Sequence, residues 1–162
     1  MKVVSNTSPL IYLMIYLTRI RQFSVLKELF GEILIPLAVY QEIRHGGAAD
    51  QSTEEVEIAK KTGCLKIVEI MTTLPMTGER VSLGSGELAT LTLAKELQAD
   101  FVILDDLKAR RLAINLGLPL IGTVGLLVLA HKKGILPHLK QALDELIQVG
   151  FWISQDVYES VL

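Results

Sequence analysis

One cysteine, Cys64, is all the chain contains, so no disulfide can close within it. The thiol is expected to be a small residue in or beside a core, and the usage fits a reducing, cytoplasmic setting. The three histidines, His45, His131 and His138, show no ligand spacing and are not placed with the acids, which argues against zinc. Neither sign of charge dominates: 16 Lys and Arg face 18 Asp and Glu. The chain therefore lacks the overall basic footprint of many nucleic-acid proteins, although a local basic rim would serve an enzyme. No run reaches the ~18 apolar residues of a membrane span. The nearest, Pro9–Leu17 (PLIYLMIYL), follows a strand-like segment and runs into Arg19 and Arg21 with no A-x-A-like cleavage site. It reads as a core helix rather than a signal peptide. Repeats, low-complexity segments and linkers are also missing.

What is present is a chain of 162 residues, half of them hydrophobic, enough for one domain over 1–162 with a real core. Short apolar runs at 2–5, 33–35, 65–70, 101–104 and 119–121 read as strands. Between them lie helical patterns. One is N-capped by Ser8 with Pro9 at its first position and runs to Leu17. Others cover 23–30, 37–44 (closed by Gly46-Gly47), 52–62, 84–98 and 107–116. Further helices follow at 124–133, 136–149 and 155–161, while Phe151–Ile153 is a short strand or tail. The stretch 46–52 reads as an exposed loop, and 71–83, with Pro75 and Gly78, as a longer one. Strand–helix alternation predicts a parallel sheet covered on both faces. The expectation is α/β: a three-layer α/β/α sandwich around a central, mainly parallel sheet of about five strands.

The chain turns on Phe101–Arg111, FVILDDLKARR. An apolar strand runs into two adjacent carboxylates, Asp105 and Asp106, and a helix follows. In open α/β sheets ligands bind beyond the carboxyl ends of the strands. Adjacent carboxylates repel, so their surroundings must be wet or hold cations. One of them also suits the N-cap of the next helix. The two roles are compatible: one Asp caps while the other faces the rim. Glu87, in the first turn of its helix, reads as a helix-dipole partner, and Glu42 reads as part of a solvated helix face.

The order of these pieces shifts the reading. A strand is followed by Asn-Thr-Ser-Pro-Leu. Then come a helix with Glu, a Gly-rich opening with Glu, a strand ending in Asp-Asp, and a basic helix. With VVSNTSPLI at the start and ILDDLKARRLAINLGLPLIGTVGLL late, nearly the whole chain resembles the PIN-domain family of metal-dependent ribonucleases. The likeness is greatest to its short prokaryotic branch. Many PIN proteins are toxins of toxin–antitoxin pairs. The resemblance implies cleavage of single-stranded RNA with Mg²⁺ or Mn²⁺, and an antitoxin partner. It implies that the family's acid positions fall at Asn6, Glu42, Glu87 and Asp105, with Asp106 beside the last and a hydroxyl at Thr123.

Such chemistry needs oxygen ligands for a hard cation, which makes water more acidic and stabilises charge on the phosphate. Two unit charges 4 Å apart interact by about 4 kcal/mol at an effective dielectric of 20. Four clustered acids therefore need a cation, a proton or water. Asn6 departs from the pattern: its amide oxygen can ligate but brings no charge, and Asn is also a common turn residue. Lys108, Arg110 and Arg111 are candidates for RNA phosphates, or a solvated face. Lys132, Lys133 and Lys140 read as surface charge, and Phe151 and Trp152 as packing residues. Apolar helices at 9–17 and 122–130 suit a homodimer. Two readings compete with the nuclease. One is a catalytically weak or inactive PIN-like module that binds RNA or protein. The other is a phosphoacceptor receiver domain, disfavoured because its acid pair would follow the first strand.

Overall fold

The computed structural model describes residues 1–19, 24–45, 49–74 and 82–162. Its centre is a five-stranded sheet in the order β3-β2-β1-β4-β5, every pairing parallel. The strands are β1 (Val3–Ser5), β2 (Ile33–Pro36), β3 (Leu65–Val68), β4 (Phe101–Ile103) and β5 (Leu120–Ile121). Alternation along each strand sends side chains to two cores. Val3, Ile33, Ile35 and Ile103 enter one; Val4, Val102 and, just past β4, Leu104 enter the other.

The first core is covered by α1 (Thr7–Arg19), α2 (Ser24–Phe30), α3 (Leu37–His45), α4 (Ala49–Lys61), α7 (Thr123–Lys132) and α8 (Leu139–Gln148). The second is covered by α5 (Ser85–Leu97) and α6 (Leu107–Asn115). This is the expected three-layer α/β/α arrangement. A last helix, α9 (Gln155–Val161), packs Tyr158 and Val161 against the first core. Cys64 is buried there. Among the described residues no helix is long and apolar enough to cross a membrane.

Several boundaries differ from the sequence expectation. Ser8 is not an N-cap: α1 already begins at Thr7, one residue after the strand turns, and Ser8 lies exposed in its first turn. Helix α4 starts at Ala49, within the stretch expected to be a loop, and α8 starts only at Leu139, after Pro137. Residues 151–153 form no strand. Phe151 packs its ring edge-on against Tyr12, at 5.1 Å between centroids. Trp152 is instead 81 % exposed. The Gly46-Gly47 stop, Arg21, Phe23 and the Pro75 and Gly78 part of the long loop lie outside the described residues. Helices α1 and α7 bury Leu10, Leu13, Met14, Leu17, Leu126 and Leu127 in the chain's own core.

Candidate active site

The chain leaves β1 towards β2 on one side and returns past β1 to β4 on the other. The switch point, where a crevice opens at the carboxyl ends of an α/β sheet, therefore lies between β1 and β4. Asn6 follows β1 directly, and Asp105 follows β4 by two residues. The register pairs Ser5 with Ile103, and the Asn6 N–H continues the ladder to the Ile103 carbonyl at 3.2 Å. Asn6 is buried.

Asp105 is held by the start of α7. Thr123 donates its backbone N–H to Oδ1 at 2.8 Å and its hydroxyl to Oδ2 at 2.6 Å. Thr123 is fully buried, so both donors are fixed, and a carboxylate at a helix N-terminus is favoured by the helix dipole. Asp106 has the other role: its carboxylate accepts the Ala109 N–H at 2.9 Å as the N-cap of α6. The two adjacent acids thus divide the work, one at the rim and one capping.

Glu42 is no solvated bystander. Thr7, at the start of α1, donates to its Oε2 at 2.5 Å. Ser85 Oγ and the Gly86 N–H, at the start of α5, donate to Oε1 at 3.2 and 2.8 Å. One half-buried carboxylate therefore joins the first turns of two helices, beside the residue that follows Asn6. Gly86 is bare for a reason: a Cβ there would come within 2.6 Å of the Glu42 carboxyl carbon. Glu87 turns back to accept the Gly84 N–H at 3.0 Å, satisfying one donor at the same helix start; Gly84 has no side chain to return the bond, so only half of a capping box is made.

Of the basic residues, Lys108 and Arg111 are exposed, while Arg110 is half-buried. Arg110 folds back, its Nη1 donating to the Leu104 carbonyl at 2.9 Å. Lys140 makes a surface ion pair with Asp144. Among the described residues, no group of three or more His, Cys, Asp or Glu side chains is placed to hold a metal ion.

Sequence reasoning missed Thr7, Ser85 and Gly86 as parts of this rim. The signal for Gly86 was a second glycine in the opening Gly84-Ser85-Gly86, already in the first turn of α5, where glycine is a poorer helix former than alanine. Such a residue calls for a packing reason.

A sequence model of the family described as PIN domain matches residues 2–162. No curated protein matches the chain. Among solved structures, the chain is similar to a PilT N-terminus domain protein from the hyperthermophilic archaeon Sulfolobus solfataricus. The TM-score is 0.57 at 18 % identity, over 80 % of this chain and 93 % of that one. At that identity the likeness speaks for the fold alone.

Proposed function

This chain belongs to the PIN-domain family, whose members are typically nucleases, and from that premise we propose that it is an Mg²⁺- or Mn²⁺-dependent endoribonuclease acting on single-stranded RNA. The observation that carries the reading is Asp105 at the switch point, fixed through both carboxylate oxygens by Thr123. Asn6 stands at the end of the neighbouring strand.

The donors available for a cation are the Asp105 carboxylate, the Asn6 amide oxygen and the Glu42 carboxylate, with Glu87 at the edge of the same helix start. All are oxygens, which suits magnesium or manganese in kind. Such an ion, when bound, acidifies water and stabilises charge on the phosphate. The chain's own groups do the rest. Thr123 keeps both Asp105 oxygens oriented. Glu42 holds the starts of α1 and α5 at the rim. Lys108 and Arg111, exposed on α6, contact phosphates flanking the cut. Asp106 supports the site through its cap. A toxin role with an antitoxin partner, and a homodimer, belong to the same proposal.

One observation favours a second reading. With Asn at position 6 the rim carries one carboxylate fewer than the family pattern, which suits a module that binds RNA or protein with little turnover. A cleavage assay separates the two. Wild type, incubated with manganese and an end-labelled single-stranded RNA, should cut it. Asp105→Asn should cut at least about a hundredfold more slowly, the scale of losing a key charge-stabilising group. RNA binding without manganese-dependent cutting would favour the binding module. Equal cutting by both proteins would sink the assignment of Asp105.

A further inference from the structure

Gly122 precedes α7 with an ordinary extended backbone, φ −96° and ψ 173°, so no conformational need selects glycine. Space does. A Cβ there would lie 2.9 Å from Arg110 Nη1, 3.0 Å from Asp105 Oδ1 and 3.5 Å from the Leu104 carbonyl oxygen. The guanidinium and the carboxylate therefore converge on one bare patch of backbone. They do not form an ion pair: among the described residues the ion pairs are Lys60–Glu57 and Lys140–Asp144. Arg110 is instead tied to the main chain, through the Leu104 carbonyl, immediately before Asp105. An arginine always carries its charge, and this one is half-buried, where screening by solvent is reduced.

We propose that Arg110 is a charge-setting positioning residue: its guanidinium, seated against Gly122 beside Asp105, holds the rim in a low-affinity state for divalent cations. The inference rests on the nuclease reading and deepens it. Asn6 withholds one negative charge from the rim, and Arg110 offsets another. Both act in the same direction, so the site takes its cation only weakly. The carboxylate that would face the ion already has a positive neighbour, and a second cation approaching Asp105 is repelled by it. Because the guanidinium is fastened to a carbonyl rather than to the carboxylate, it does not have to release Asp105 when a cation arrives. Its influence is therefore electrostatic and persists in every state of the site.

The test is manganese binding to the whole chain, followed by the electron paramagnetic resonance of free Mn²⁺, which needs no turnover. Arg110→Met keeps much of the stem and removes the charge; it should tighten the dissociation constant about tenfold. Arg110→Lys keeps the charge and should stay within about twofold of wild type. Far-UV circular dichroism checks folding, and Arg110→Gln replaces the Met variant if that one does not fold. Asn6→Asp, run in parallel, tests the nuclease reading itself. If Asn6→Asp tightens binding and neither uncharged Arg110 variant does, the inference is overturned and the reading stands. Should the Lys variant tighten as much as the Met variant, the charge is not the cause and the inference is again overturned. If no variant binds manganese, both fall.

Discussion

Gly86→Ala should destabilise this protein even though alanine is the better helix former. The added Cβ would overlap the Glu42 carboxylate, which must then leave its seat. It would give up the bonds from Thr7, Ser85 and the Gly86 N–H. Hydrogen bonds to a charged acceptor are worth about 1.5–3 kcal/mol each, but this site is half-buried and water replaces part of the loss. A total near 3 kcal/mol is reasonable on that scale. Alanine returns at most about 1 kcal/mol of helix propensity. The net cost is about 2 kcal/mol, and in a chain of this size each kcal/mol moves Tm by about 2–4 °C. Tm should therefore fall by about 4–8 °C. The discriminating assay is a double-mutant cycle by urea and thermal unfolding. In a Glu42→Ala background the clash is gone, so Gly86→Ala should be neutral or stabilising by up to about 1 kcal/mol. An equal loss in both backgrounds would refute the claim that the carboxylate is what requires glycine.

Further outcomes follow from the same contacts. Asp106→Ala removes the N-cap of α6 and should cost about 1 kcal/mol on urea unfolding. Since its carboxylate is engaged in the cap, manganese affinity should change far less than in Asp105→Asn. Asn6→Asp should raise manganese affinity and any nuclease rate; an unchanged binding isotherm would count against Asn6 as a ligand. Tyr16 is buried against the first core, and burial, followed by the charge of Glu145, pushes its hydroxyl up to about 12 from 10.0. Its contribution is fully present below pH 10, where both states are protonated, and is lost as pH rises towards 12. A two-unit difference corresponds to about 2–3 kcal/mol. Tyr16→Phe should flatten the fall in stability across that window, measured by urea titrations at a series of pH values.

The strands were legible because they are short, largely apolar runs, four of them followed by a polar or glycine residue, as at Phe101–Leu104 before Asp105, and β2 ended by Pro36. A register of alternating cores then followed from the pleat. The helix starts were harder. Ser8-Pro9 has the chemistry of a cap, yet the chain turns helical at Thr7, directly after Asn6, and the Thr7 hydroxyl bonds Glu42, 35 residues away. No local pattern carries that information. Glu42 itself looked solvated for the same reason: its partners lie on other elements. The division of labour between Asp105 and Asp106 was readable, since a cap and a rim position are adjacent by necessity where a strand ends and a helix begins. Arg110 looked like a phosphate contact, and only the fold reveals that its guanidinium turns inward to Leu104. Trp152 misled because large aromatic residues after glycine suggest packing: Phe151 does pack, against Tyr12, while Trp152 is exposed.

The most direct test of the account is anomalous scattering from a crystal of the unmodified chain soaked in manganese. A peak about 2.0–2.3 Å from an Asp105 carboxylate oxygen, with the Asn6 amide or Glu42 completing the shell, is the predicted result. A well-ordered rim with no peak at Asp105 at saturating manganese, or with manganese bound only elsewhere, would contradict it.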